Sequence, residues 1–362
     1  MKKIGILTGG GDCPGLNAVI RAVVKKSTRN RWATIGIRNG WKGLIDGDLF
    51  PLSDHEVSGI LTKGGTILGT SRTNPFKNED EAKKCMENIK RFGIDALIAI
   101  GGEDTLGAAL KFHQRGIPIV GVPKTIDNDL SGTDFTFGFD TAVSIVTEAI
   151  DRLHTTAESH HRVIVVEVMG RHAGWIATMS GIAGGADQIL IPEKPFDINE
   201  VCMSVKTRYD NGKTFSIIVI SEGAKPKEID SLMTLDSEKD EFGHVKLGGI
   251  GGYLAKEIEK RLGVETRVTV LGHVQRGGTP TAYDRILATR FGVAATELIE
   301  QGIYGKMVAL QGNNVVPVDL QVAVMTLKTV DMKLYELAEV FFAHKISKPD
   351  GVFSDQTISV KG

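Results

Sequence analysis

At 362 residues the chain exceeds the length at which one hydrophobic core stops growing, so two domains are expected. A composition of 41% hydrophobic and 24% charged residues, with 43 glycines, is that of a globular enzyme and excludes a disordered chain. Forty-three basic against 44 acidic side chains leave a net charge of -1, which excludes a global field for nucleic acid or membrane and leaves any anionic ligand to be held locally.

The chain runs from Met1-Lys2-Lys3 into Ile4-Gly5-Ile6-Leu7, an apolar stretch too short for a secretion signal. No run approaches a membrane span. Cys13, Cys85 and Cys202 are few, odd in number and far apart, which argues for a reducing compartment and against disulfides. The expected location is the cytoplasm. No pair of histidines shows the i, i+4 spacing of a built-in metal site.

From the first residue onward, short β-rich runs alternate with longer stretches of 3.6-residue periodicity, the mark of a parallel sheet sandwiched by helices. The predicted strands are 4–7, 35–37, 96–100, 117–120, 163–167, 217–221 and 267–271. Helices are predicted over 14–26, 78–91, 105–114, 141–154, 199–209, 252–262 and 284–301. The polar and glycine-rich clusters fall at strand ends, where open α/β sheets place their ligands.

The first such cluster is Thr8-Gly9-Gly10-Gly11-Asp12-Cys13-Pro14-Gly15-Leu16-Asn17. A strand–glycine–helix junction of this kind offers bare N–H groups and a positive helix end to a phosphate. It is neither a Walker A loop nor a dinucleotide fingerprint, and Gly212-Lys213-Thr214 has Thr207 where the first glycine of a Walker loop stands. The second, Ile100-Gly101-Gly102-Glu103-Asp104-Thr105, puts two carboxylates at a helix mouth. They suit helix capping, but beside phosphates one is a natural Mg²⁺ ligand, and Glu103 is assigned to it. The third, Pro123-Lys124-Thr125-Ile126-Asp127-Asn128-Asp129, gathers a cation, a hydroxyl and carboxylates within a few residues, which is what phosphoryl transfer needs.

Together with Glu167-Val168-Met169-Gly170-Arg171, Ser221-Glu222-Gly223 and Leu271-Gly272-His273-Val274-Gln275-Arg276-Gly277-Gly278, these clusters resemble the phosphofructokinase family from about residue 3 to about residue 300. The resemblance implies two three-layer α/β/α (Rossmann-like) domains with mostly parallel sheets. Residues 1–138 with 251–303 are expected to hold the phosphoryl donor and Mg²⁺. Residues 139–250 with 304–345 are expected to hold fructose 6-phosphate, leaving 346–362 as a tail. The glycine run 248–252 is a candidate crossing between them.

By the same resemblance, Asp127 is the general base for the sugar's C1 hydroxyl. Thr125 and Arg171 hold the reacting centre, and Arg171 with Arg72 offset charge on the transferring group. Gly11 lends its N–H to the donor. The sugar is held by Met169, Gly170, Arg171 and Glu222, and its 6-phosphate by His273 and Arg276. Arg162 and Arg267 match arginines supplied by a neighbouring subunit, which implies a homo-oligomer, dimer or tetramer, with shared sites. The family's effector site looks incomplete: Arg21 and Lys213 fit it, whereas Asp54 and His154 stand where arginines are expected.

The donor is read from two positions. ATP-using members that lack a lysine in the third motif carry glycine where Asp104 and Lys124 stand, while others pair the lysine with glycine in the second motif. Asp104 is therefore the deciding residue. It fills volume and repels a third phosphate, and Lys124 neutralises the leaving phosphate of pyrophosphate. The expected donor is pyrophosphate. The alternatives are an ATP-dependent enzyme in which Asp104 turns aside, and a phosphosugar-binding regulator without catalysis. Trp41 lies near where nucleotide-using relatives stack a ring on adenine.

Overall fold

The alternation of β-branched runs with amphipathic stretches folds into two α/β units in a computed structural model, which describes residues 1–228, 234–239, 245–247 and 249–343. The first part of the chain forms β1 (Lys3–Thr8), α1 (Leu16–Arg29), β2 (Ala33–Ile37), α2 (Trp41–Asp46), β3 (Leu49–Pro51), α3 (Glu79–Phe92), β4 (Ala96–Gly101), α4 (Glu103–Gln114) and β5 (Ile119–Pro123). Next come α5 (Phe139–His160), β6 (Val163–Val168), α6 (Trp175–Ala183), β7 (Gln188–Leu190), α7 (Ile198–Asp210), β8 (Ser216–Ser221), β9 (Thr234–Lys239), β10 (Val245–Leu247), α8 (Ile250–Leu262) and β11 (Thr266–Val270). A 3-10 turn, Gly272–Arg276, leads to α9 (Ala282–Glu300), β12 (Lys306–Gln311), β13 (Asn314–Asp319), α10 (Leu320–Met325) and α11 (Met332–Glu339).

The larger sheet has seven strands in the order β13-β12-β5-β4-β1-β2-β3, parallel except at its two edge pairs. The smaller has four strands, β11-β6-β8-β7, all parallel. Each is covered by helices, so its central strands are apolar throughout, as in Ile98 and Ile100 of β4 or Val165 and Val166 of β6. Local chemistry sets the helix ends. In α3, Asn78 accepts from the Asp80 N–H, acidic residues fill the first turn, Lys90 and Arg91 the last, and Gly93 closes it at φ 64°.

The expected partition needs correction. α8 and β11 belong to the smaller unit, because β11 adds parallel to β6 from Thr266 beside Val163 onward. β12 and β13 belong to the larger one, because β12 pairs parallel with the edge of β5 and β13 folds back on it through a turn at Gly312-Asn313. The glycine run is no crossing either. Gly249, at φ 89°, starts α8, and buried Glu167 accepts the N–H groups of Gly249 and Gly251. Residue 248 and the expected tail lie outside the described residues.

The chain instead crosses between units at residues 138–139, 276–282 and 326–331. The first two crossings are stapled together. Buried Asp284 accepts the Thr141 N–H (2.8 Å) and hydroxyl (2.5 Å), and Thr281 donates to Asp140 (2.6 Å).

Candidate active site

β5, β4 and β1 lie side by side, so the loops leaving their C-terminal ends converge. The loop after β1 comes close to the start of α4, and a Cβ on Gly9 would stand 2.5 Å from Thr105 Oγ1. The glycine is required by that approach. The segment 70–72 joins them, with the Gly10 N–H bonded to Ser71 O (3.0 Å) and the Thr70 hydroxyl to Gly10 O (2.6 Å). From the smaller unit come the loops after β6 and β8, and from the second crossing comes Arg276. Its guanidinium reaches Asp12 O (3.3 Å) and packs where a Cβ on Gly11 would stand, 2.6 Å from Nη1.

These segments enclose a cavity of about 200 Å³. Gly11, Arg72, Glu103, Asp104, Lys124, Thr125, Asp127, Met169, Arg171, Glu222 and Arg276 all line it. Gly170 stands just behind, at φ 137°, with its carbonyl accepting the Ser221 hydroxyl (2.6 Å). Three predicted residues do not reach this cavity. His273 is exposed on the 3-10 turn, and Arg162 and Arg267 both clasp Glu265 at the free edge of the smaller sheet. Sequence reasoning missed Gly10, Ser71, Thr73, Asp129 and His172, which also line the cavity. Gly10 and Asp129 carried legible clues, the one inside the glycine run of the first motif and the other as the second acid of the third.

Polar groups here are buried and only partly satisfied. Lys124 is 4% exposed, and its ammonium donates to Gly11 O. Burial lowers its pKa, as does Arg276 to a smaller degree, against the carboxylates nearby. The Asp127 N–H bonds Thr125 Oγ1 (3.0 Å), and Asn128 takes a left-handed φ of 51°, its side chain holding Thr136 N and Asp134 O. Asp127 Oδ1 is buried without a hydrogen-bond partner. Such an orphan acceptor calls for a donor from outside the chain.

Burial, then repulsion from Asp127, pushes Asp129 up to about 7, with Glu103 adding to it. Glu222 is pushed up to about 7 by burial and then by Asp127, with Arg171 opposing. Among the described residues no cluster of three or more His, Cys, Asp or Glu forms a ready-made metal cage. Glu103 and Asp129 present two carboxylates at the cavity, the donor set of an ion that completes its shell with phosphate oxygens.

Beyond this cavity lies a smaller one of about 160 Å³ between α4 and α10, lined by Asn74, Gly107, Ala108, Lys111 and Val324. Glu103 and Asp104 line both, so the two acids form the shared wall. Trp41 does not face it: the ring is buried in the core against Phe112, centroids 5.1 Å apart. At the expected effector positions, Asp54 pairs with Lys25 (2.9 Å), and His154 Nε2 lies 2.8 Å from Gly184 O. Among the described residues no helix is long and apolar enough to cross a membrane.

A family profile described as phosphofructokinase matches residues 3–299. The chain is 60% identical to a pyrophosphate--fructose 6-phosphate 1-phosphotransferase of Amycolatopsis mediterranei over 94% of its own length and 99% of the relative's. It is 54% identical to an ATP-dependent 6-phosphofructokinase of Streptomyces coelicolor over 93% and 99%. It superposes on Pichia pastoris phosphofructokinase in the T-state with a TM-score of 0.81 and 32% identity, 94% of this chain covering 36% of that longer one. With the converging loops and their residues, this establishes that the chain belongs to the phosphofructokinase family.

Proposed function

We propose that this chain is a cytoplasmic enzyme that transfers a phosphoryl group from pyrophosphate to the C1 hydroxyl of fructose 6-phosphate, giving fructose 1,6-bisphosphate and phosphate. The observation that carries the donor assignment is the shared wall. Asp104 stands between the phosphate cavity and the small space beyond it, where a longer donor would have to pass. Overall likeness does not choose the donor, since relatives at 60% and 54% identity bear the two different donor names.

In this reading Asp127 Oδ1 takes the proton of the sugar hydroxyl as its oxygen attacks phosphorus. Thr125 orients the base through its bond to the Asp127 N–H. Arg72, Arg171 and Lys124 face the charge spreading over the phosphoryl oxygens, and Lys124 beside Gly11 meets the departing phosphate. Glu103 and Asp129 would hold Mg²⁺, which supplies charge neutralisation to the phosphate oxygens when bound. Met169, Gly170 and Glu222 hold the sugar and Arg276 its 6-phosphate, which in this reading projects beyond the cavity to meet His273 on the exposed 3-10 turn. Arg162, half-buried, and Arg267, exposed, both at the edge of one subunit, serve the neighbour's site in a homo-oligomer. One phosphoanhydride is exchanged for an ester with little loss of free energy, so the reaction runs both ways.

The test is a donor comparison on purified protein with Mg²⁺ and fructose 6-phosphate. Turnover with pyrophosphate and little or none with ATP is expected; the opposite preference rejects the donor assignment, and inactivity with both rejects the enzyme.

A pH prediction follows from Glu222. Its carboxylate accepts sugar hydroxyls, and with its pKa raised to about 7 it takes up a proton as pH falls through neutrality. The kcat/KM for fructose 6-phosphate, which reports free-enzyme groups, therefore declines toward about tenfold per pH unit below that point. Dividing the wild-type profile by that of Glu222→Gln at saturating Mg²⁺ cancels ionisation of the substrate's phosphate. The ratio should fall between pH 8 and pH 6; a flat ratio assigns the limb elsewhere.

A further inference from the structure

The third crossing, residues 326–331, lies beyond the part of the chain matched by the family profile, and the sequence assigned no single residue in it a role. It runs as a strap between the loop that carries Asp127 and the segment that follows Arg171. Leu327 forms an antiparallel bridge with Leu130, and the Lys328 N–H donates to Asp129 O (2.9 Å). The Lys328 ammonium reaches past this to the returning leg of the same loop, donating to Thr133 O (3.0 Å) and Asp134 O (2.5 Å). Asp134 O is also the acceptor for Asn128 Nδ2 (3.3 Å), the side chain that fixes the left-handed residue next to Asp127.

On its other side the strap is tied to the smaller unit. Trp175, at the start of α6, donates its indole N–H to Lys328 O (3.1 Å), and its ring lies 5.1 Å from the ammonium. Glu193 accepts the N–H groups of both Val330 (2.9 Å) and Gly174 (3.0 Å). Lys328 thus bonds both legs of one catalytic loop and the helix that opens four residues after Arg171. Burial lowers the pKa of its ammonium to about 8, with Asp134 and Asp129 opposing.

We infer that Lys328 is a positioning residue for phosphoryl transfer, holding the Asp127 loop of one unit in register with Arg171 of the other. The inference rests on the phosphofructokinase reading. Lys328 reaches the site only through the backbone of the Asp127 loop, so its loss misplaces the base without removing a substrate contact. Displacement of a reacting group by about 1 Å costs on the order of 10²-fold in rate.

The experiment compares wild type, Lys328→Met and Lys328→Arg in the full chain, with whichever donor the wild type uses. The methionine keeps the apolar stem against Trp175 and removes the donors; the arginine restores two. Expected is a kcat loss of about 10- to 100-fold in Lys328→Met, KM for fructose 6-phosphate within about threefold, and substantial recovery in Lys328→Arg. Unchanged kcat in Lys328→Met, a loss confined to KM, or an arginine variant as slow as the methionine one would overturn the inference. If Lys328→Met does not fold, Trp175→Phe removes the indole bond alone. It should lower kcat several-fold at unchanged KM, and normal kcat there counts against the strap. A wild type inactive with every donor overturns the family activity itself, a result separable from these.

Discussion

Asp127→Ser is expected to lower kcat by about 10²- to 10⁴-fold while fructose 6-phosphate still binds, because general-base catalysis contributes on that order. The reason is geometric. The carboxyl is fixed from both sides, by Thr125 Oγ1 on its own N–H and by the left-handed Asn128 that follows, while Oδ1 is buried with no partner in the chain. The loop maintains an unsatisfied acceptor at a cost of about 1–3 kcal/mol, which a substrate hydroxyl would recover. Serine is too short to reach that hydroxyl and too weak a base to take its proton. Steady-state turnover together with calorimetric titration of fructose 6-phosphate separates the two effects. Retained turnover would remove the mechanism, and a non-catalytic phosphosugar regulator would show sugar binding and no turnover in the wild type as well.

The chemistry of this site was largely legible because it is written in short contiguous clusters. Gly9 to Gly11, Glu103-Asp104 and Lys124 to Asp129 each sit at the end of one strand, and a parallel sheet brings the ends of neighbouring strands together whatever lies between them in sequence. Sheet membership was harder. Whether β11 joins β6 and whether β12 joins β5 depends on which edge is open, and the local pattern of 267–271 suits either sheet. The hairpin of β12 and β13 did carry a cue, since Gly312-Asn313 between two alternating runs is a two-residue turn. Lys328 carried none. Its bonds go to main-chain carbonyls nearly two hundred residues away, and a carbonyl has no signature in sequence.

Exchange of Asp104 for glycine is expected to shift donor preference from pyrophosphate toward ATP by about 10²-fold or more in the ratio of kcat/KM values. Asp104 lies on the wall common to the phosphate cavity and the 160 Å³ space beyond it. Two unit charges about 4 Å apart repel by about 4 kcal/mol at an effective dielectric near 20, and a hundredfold preference needs only about 2.8 kcal/mol. Charge repulsion of a third phosphate is thus sufficient even before the volume of the side chain is counted. Asp104→Asn keeps the volume and removes the charge, so its position between wild type and Asp104→Gly apportions the two effects. Lys124 plays a different part: buried and bonded to Gly11 O, it serves the departing phosphate, and Lys124→Gly alone should depress pyrophosphate turnover without creating ATP use. If Asp104→Gly leaves the donor ratio unchanged, the gate lies elsewhere, and the lining of the smaller cavity at Asn74, Lys111 and Val324 becomes the next place to look.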